Sequence, residues 1–234
     1  MWTKTAIPEH SGFTLVEMAI VLLIITLALG GLLTPMARQS ERKHIEDTQR
    51  QLNDIRSALL GYAISHKHLP CPDSDALPDG LENRSGANCV SYFGALPWQD
   101  LGIGQTDAWN RHFSYAVSPA FASSSPAFSL TDNGTLTVKS TSGSGGVTYL
   151  PNAVAVVISH GINGLGAPGT ATTPVSADEL DNSNGGGTYV SREITTAYDI
   201  SQGNTQSEFD DLVIWLPTSL LFNQMVTAGQ LTSP

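Results

Sequence analysis

The sequence predicts an α+β protein: a long N-terminal membrane-spanning helix continues into an amphipathic helix packed on an antiparallel β-sheet. Three observations carry this reading. Residues 13–33, FTLVEMAIVLLIITLALGGLL, form an almost uninterrupted apolar run, close to the roughly 20 residues a helix needs to cross a bilayer. Ile45, Leu52, Ile55, Leu59 and Tyr62 then recur at helical spacing as one apolar stripe. Beyond residue 110, short β-branched or aromatic segments alternate with stretches rich in Gly, Ser, Thr and Asn.

The apolar run holds one ionisable residue, Glu17, near its start. A carboxylate inside a membrane helix costs about 2.5 kcal/mol or more near the centre and less near an end, so it calls for a partner. A cleavable secretory signal is the obvious competitor, but the run is longer than a typical signal core and no small-x-small site follows it cleanly. Gly30, Gly31 and Pro35 are expected to weaken or kink the helix there, because Pro lacks the N–H donor and Gly is entropically costly.

From Met36 to about His66 helix formers alternate with charges, and Glu46 and Arg50 stand at i,i+4 in the favourable order. Leu69-Pro70-Cys71-Pro72 ends the helix, since two prolines cannot continue it. Cys71 and Cys89 are the two cysteines, and a pair in an exported domain is expected to form a disulfide. Such a short loop gives about 3 kcal/mol in the chain-entropy model. The intervening Asp-, Pro-, Gly- and Asn-rich segment reads as a stapled loop. Strands are expected at 112–117, 136–139, 153–158, 188–190 and 211–216, with a flexible turn at 140–146 and a C-terminal helix at 219–228. Trp98 and Trp109 are read as core packing.

The formal net charge is -10, and the chain from Ser57 onward carries five basic and fifteen acidic residues. An acidic domain repels phosphate backbones, so no direct nucleic-acid partner is expected. Charged residues are only 14% of the chain, low for a cytoplasmic enzyme.

Ser11-Gly12-Phe13-Thr14-Leu15-Val16-Glu17, placed directly before the apolar run, resembles the prepilin cleavage site of type IV pilins and type II secretion pseudopilins. The resemblance is specific over residues 11–35. It implies cleavage between Gly12 and Phe13 by a prepilin peptidase, N-methylation of Phe13, and a role for Glu17 in assembly, pairing with the N-terminal amine of a neighbouring subunit. A buried carboxylate gains from such a charge-assisted partner. Counting Lys and Arg alone, Arg38, Arg42 and Lys43 put the far side of the run in the cytoplasm, against Lys4 in the leader. The leader motif and the cysteine pair point the other way and take precedence. Asp107-Ala-Trp109-Asn110, followed by the alternating strand His112 to Val117, also resembles a segment of major pseudopilins.

The implied organisation is a leader at 1–12, a transmembrane and assembly helix at 13–35, an amphipathic half-helix at 36–68 and an exported β-rich domain at 69–234, the pilin fold. The implied function is a structural subunit (pilin, minor pilin or pseudopilin) of a type IV pilus or type II secretion-like filament. Its implied partners are the prepilin peptidase, other pilin or pseudopilin subunits, the inner-membrane assembly platform and the membrane. Its implied location is the bacterial inner membrane, in a single pass with the globular domain in the periplasm, and then a filament in the periplasm or at the cell surface. The alternative is a membrane-tethered extracytoplasmic binding module that does not polymerise.

Asp178, Glu179, Asp181, Asn182 and Asn184 make a dense group of oxygen ligands in what reads as a loop, and calcium takes six to eight such oxygens. The resemblance adds that major pseudopilins bind calcium in a C-terminal loop, so Asp178, Glu179, Asp181 and Asn184 are its expected ligands here. Gly164-Leu-Gly166-Ala-Pro-Gly169 matches G-x-G-x-x-G, but Thr-Ala-Thr-Thr-Pro after it is a poor helix start, so it reads as a plain glycine loop. No catalytic role is expected. Ser159 and His160 are adjacent and cannot pair with each other as nucleophile and base, and no motif identifies distant triad partners. Asp210 and Asp211, taken as strand neighbours, are expected to point to opposite faces.

Overall fold

The computed structural model describes residues 12–196, 201 and 207–231, with the backbone alone for 28–38. The leader expected at 1–12 therefore lies, but for Gly12, outside the described residues. The chain divides into two units, 1–43 and 44–234.

Helix α1 (Leu15–His66) runs through Gly30, Gly31 and Pro35 without interruption. In the first unit its described apolar side chains are exposed on every side, from Leu15 (85%) and Val16 (64%) to Ile24 (57%) and Leu27 (71%). Among the described residues no helix is long and apolar enough to cross a membrane. The run expected to span at 13–35 extends into residues 28–38, whose side chains lie outside them.

The second unit holds the rest of α1, and here the expected stripe is present except for Tyr62, which is half-buried and donates to Glu82 Oε1 at 3.2 Å. Leu52, Ile55, Leu59 and Ala63 are buried, with Ile45 and Ile64 packed at the margin. Arg50 pairs with Asp47, one turn back, rather than with Glu46. The helix closes as Lys67 turns left-handed at φ 65, with its N–H donating to Ala63 O at 2.8 Å. The two-proline segment follows at once. Cys71 and Cys89 form the expected disulfide. Within that loop lies a small hairpin, β1 (Arg84–Ser85) and β2 (Asn88–Cys89).

The remaining elements are β3 (Phe93–Ala95), α2 (Trp98–Leu101), β4 (Ser114–Val117), α3 (Pro119–Ala122), β5 (Leu136–Lys139), β6 (Thr148–Ser159), α4 (Ala177–Ser183), β7 (Thr188–Val190), β8 (Leu212–Pro217) and α5 (Thr218–Thr227). The twelve-residue β6 is the hub. Its C-terminal half pairs with both β4 and β8, while its N-terminal half pairs with β5. All of these pairings are antiparallel, but β7 joins β5 in parallel. The sheet is therefore mixed, not antiparallel as expected. The physical reason is the long excursion between β6 and β7: it carries α4, and a connection of that length can return a strand in either direction.

Alternation along the strands sorts two apolar layers. Tyr115, Val117, Ala155 and Val157 face the α1 stripe, together with Leu216 of β8 and Leu221 and Met225 of α5. Ala116, Val156 and Ile158 face the other way, with Leu136, Val138 and Tyr189. A register shift between Ala153 and Ala155 lets Val154 join the first layer out of phase. Trp98 is buried and stacks on His112 at 4.8 Å, and Trp109 packs against the core, as expected for both.

Candidate functional site

The N-terminal region is built by local capping. Thr14 and Glu17 close a reciprocal capping box at the start of α1. Glu17 N donates to Thr14 Oγ1 at 3.2 Å, and Glu17 Oε2 accepts from Thr14 N at 2.8 Å and from Thr14 Oγ1 at 2.9 Å. The resemblance implies an intermolecular role for Glu17, and within the chain its partner is Thr14. The T-x-x-E spacing was the available signal. Gly12 and Phe13 precede the helix. Gly12 has nothing within 4 Å of its Cβ position, and Phe13 is 81% exposed. The Gly12–Phe13 peptide bond thus stands in open, non-helical backbone immediately before a capped helix.

In the other unit, chemistry gathers where three segments meet: the turn after β6, helix α4 and the lead-in to β8. The expected calcium set does not converge there, because residues 177–183 form a helix and not a loop. Successive residues on that helix look in different directions. Asp178 turns to Arg192, whose Nε lies 2.7 Å from its Oδ2, and its Oδ1 accepts from Thr141 Oγ1 at 2.9 Å and from Ser142 N at 2.7 Å. Burial opposes that charge, but these bonds hold the carboxyl below its usual range. Arg192 also lies 4.4 Å from the Phe209 ring centroid and donates to Thr195 Oγ1. Asp181 and Asn184 contact each other at 3.4 Å, and Asn184 Oδ1 accepts from Gly186 N. Asn182 is buried and clamps Val190 through both its amide atoms.

Only Glu179 of the expected set enters a carboxylate group, and its companions are Asp210 and Asp211. The expectation that these two aspartates point to opposite faces fails because both precede β8, which begins at Leu212. All three residues are buried, and one oxygen from each lies within 4.8 Å of the others. Each is also held by the scaffold. Glu179 Oε1 accepts from Asp210 N at 3.1 Å and Asn163 Nδ2 at 3.4 Å. Asp210 Oδ2 accepts from Asn163 N at 2.8 Å, and Asp211 Oδ2 from Asn182 Nδ2 at 2.8 Å. Gly161 makes this approach possible. At φ 53, a Cβ there would lie 2.3 Å from Asp210 O.

Carboxylate oxygens within 4.8 Å of one another repel when both groups are charged. The electrostatics follow. Burial, opposed by the Asn163 amide and reinforced by Asp211 and Glu179, pushes the Asp210 carboxyl up to about 7. Burial and the charge of Asp211 also raise Glu179.

His160 stands against this group. Its Nε2 lies 2.7 Å from Ser114 Oγ, and its Nδ1 faces Asp211 Oδ1 at 3.5 Å. Ser114, His160 and Asp211 thus line up in the order of a catalytic triad, which the sequence reading had no motif to find. Ser114 and His160 are fully buried and Asp211 is 2% exposed, so no substrate reaches the serine hydroxyl. Ser159 Oγ, for its part, donates to Asp107 Oδ2 at 2.6 Å, and Asp107 Oδ1 accepts from Trp109 N and Arg111 N. Asp107 therefore ties the Asp-x-Trp turn to the end of β6. Gly164, Gly166 and Gly169 lie in a loop that no helix directly follows, as expected.

No curated protein and no solved structure matches the chain. A family model does match at the N-terminus: residues 9–33 fit the Prokaryotic N-terminal methylation motif. That motif is typical of type IV pilins and pseudopilins. It points to a structural subunit rather than a catalytic one, and it implies processing by prepilin peptidase, a membrane-anchored N-terminus and an extracytoplasmic domain, with which the disulfide agrees.

Proposed function

We propose that this chain is a structural subunit of a type IV pilus or type II secretion-like filament. The prepilin peptidase cuts between Gly12 and Phe13 and methylates Phe13. The helix of residues 13–35 anchors the subunit in the inner membrane with the globular domain in the periplasm, and then packs among other pilin or pseudopilin subunits at the assembly platform. The observation that carries this reading is the methylation motif at 9–33, which runs into a helix whose described apolar side chains are exposed all round. A helix apolar on every side satisfies itself only in lipid or among other helices.

Glu17 fits the assembly role through its geometry. In the single chain its partners are the amide and hydroxyl of Thr14. After cleavage the α-amine of Phe13 adds a cation one helical turn away, and the amine of an adjacent subunit offers the same charge across a packing contact.

Intact mass, measured with and without a prepilin peptidase, tests the reading. The expected result is loss of residues 1–12 and gain of one methyl group on Phe13, only with the peptidase present. An unchanged mass removes the proposal. The tethered binding module is separated by Glu17→Ala: normal membrane insertion with filament formation lost supports a filament subunit, and unchanged assembly supports the tether.

A further inference from the structure

The globular domain is short of cations, and all but one of its arginines are paired. Beyond Ser57 the chain has five basic residues. Arg84 is bonded to Glu82 and Arg192 to Asp178, and Lys139 donates to the Gly143 carbonyl. Arg111 is different. Among the described residues no carboxylate pairs with it, and nothing accepts a hydrogen bond from its guanidinium. Its Nε is buried without a partner. A half-buried cation has lost part of its water, and with no anion in the chain to replace that water it calls for one from outside.

Arg111 lines a pocket of about 210 Å³, with His112 beside it and Leu77, Pro78, Ala167 and Pro168 among its walls. Both polar side chains are held in place. Asp107 Oδ1 accepts from the Arg111 backbone N–H at 2.9 Å, just after the left-handed turn at Asn110 (φ 61). A Cβ on Gly164 would lie 2.4 Å from Arg111 Nε, so the first glycine of the G-x-G-x-x-G loop leaves the space that the arginine occupies. His112 stacks on Trp98, and its Nδ1 contacts Gln105 O at 3.2 Å, which leaves Nε2 without a partner among the described residues. We infer that this pocket binds a carboxylate, with Arg111 as its anchor. Charge decides for a carboxylate over a phosphate. One guanidinium matches a single negative charge and offers paired donors to both carboxylate oxygens. Asp75 and Asp79, exposed on either side of Leu77 and Pro78, oppose any further negative charge. The apolar walls suit a short hydrocarbon body behind the carboxylate. That group belongs either to a small free acid or to an acidic side chain of a second copy of this chain, and the recognition chemistry is the same.

The test uses the full chain, isotope-labelled and purified in detergent. Sodium propionate is added at constant ionic strength, balanced with sodium chloride, and the Arg111 Nε–H and Gly169 amide resonances are followed. Both should shift saturably with propionate and not with chloride. Arg111→Gln should abolish the saturable shift at Gly169 and leave Tm unchanged, since the guanidinium bonds to nothing in the chain. Arg111→Lys keeps the charge but loses the planar fork, and should weaken binding several-fold. Inorganic phosphate should bind more weakly than propionate. Filament yield separates the sources: a fall in Arg111→Gln with leader cleavage intact assigns the carboxylate to a neighbouring subunit, and an unchanged yield assigns it to a free acid. A wild type that forms no filaments would remove the filament reading and leave the titration standing. The proposal is overturned if propionate does no more than chloride, if Arg111→Gln binds as wild type does, or if phosphate binds more tightly than propionate.

Discussion

Helix α1 has two halves that share a backbone and little else. Between Leu15 and Leu27 the apolar side chains are exposed around the whole circumference. Between His44 and His66 they are confined to one stripe, and that stripe is buried on the sheet by Tyr115, Val117, Ala155 and Val157. In the second half the partner of each apolar residue is in the same chain, so the half-helix contributes to folding. In the first half the described apolar side chains are left exposed by the described residues, and it is the proposed function that covers them with lipid or other chains. A helix can thus be read for function by asking which of its faces are satisfied internally.

The sharpest way to break that comparison is to make the same change in both halves. Leu59→Ala empties a site that is 1% exposed and should cost about 2–5 kcal/mol, read as a clear fall in Tm. Ile24→Ala, at a residue 57% exposed, should leave that Tm within about 0.5 kcal/mol equivalent while lowering filament yield. Equal effects on melting would mean that the first half also packs within the chain.

A smaller effect sharpens the account of the folded half. Arg192→Gln strips the buried Asp178 carboxylate of its cation and should cost about 2–3 kcal/mol in denaturant unfolding. An unchanged midpoint would show that Thr141 and Ser142 suffice. Thr14→Ala removes one side of the capping box and should lower the stability of the first turn by about 1 kcal/mol. Faster amide exchange over residues 15–18, with the sheet unaffected, would register it.

The mildest prediction concerns pH. Burial opposes the charge of Glu82, but Arg84 Nε at 2.9 Å and the Cys71 amide at 2.8 Å hold its carboxyl below the usual value. A carboxyl depressed on folding binds its proton more readily in the unfolded chain. Its contribution is therefore present above the ordinary glutamate range and lost as pH falls through the lower folded value. Glu82→Gln should flatten the acid limb of the Tm profile, and an unaltered limb would assign acid sensitivity to other carboxyls.

Much of the fold was legible because its cause is local. The strand at Leu136–Lys139 and the short one at Thr188–Val190 stand where β-branched residues and flanking glycines put them, and the prolines after Leu69 stop the helix where the structure stops it. The direction of β7 was not legible, since nothing within Thr188–Val190 distinguishes a parallel from an antiparallel partner. Nor was the carboxylate group. Asp178 and Glu179 are identical in kind to the eye, yet a helix sends one to Arg192 and the other to Asp210. Reading 177–183 as a loop and 211 as strand led to the wrong neighbours for each acid.

The sequence by itself determined the N-terminal processing signal of this protein. A methylation motif, a capped helix start and an apolar run are all written in consecutive residues, and the machinery they imply reads them as a linear signal. Only the tertiary structure decided what happens in the domain beyond. Ser114, His160, Glu179 and Asp211 come from a strand, a turn, a helix and a loop, and their meeting depends on β6 pairing with both β4 and β8. Side-chain chemistry at that distance in sequence acquires a neighbourhood only when backbone hydrogen bonding and burial of the two apolar layers have set the register.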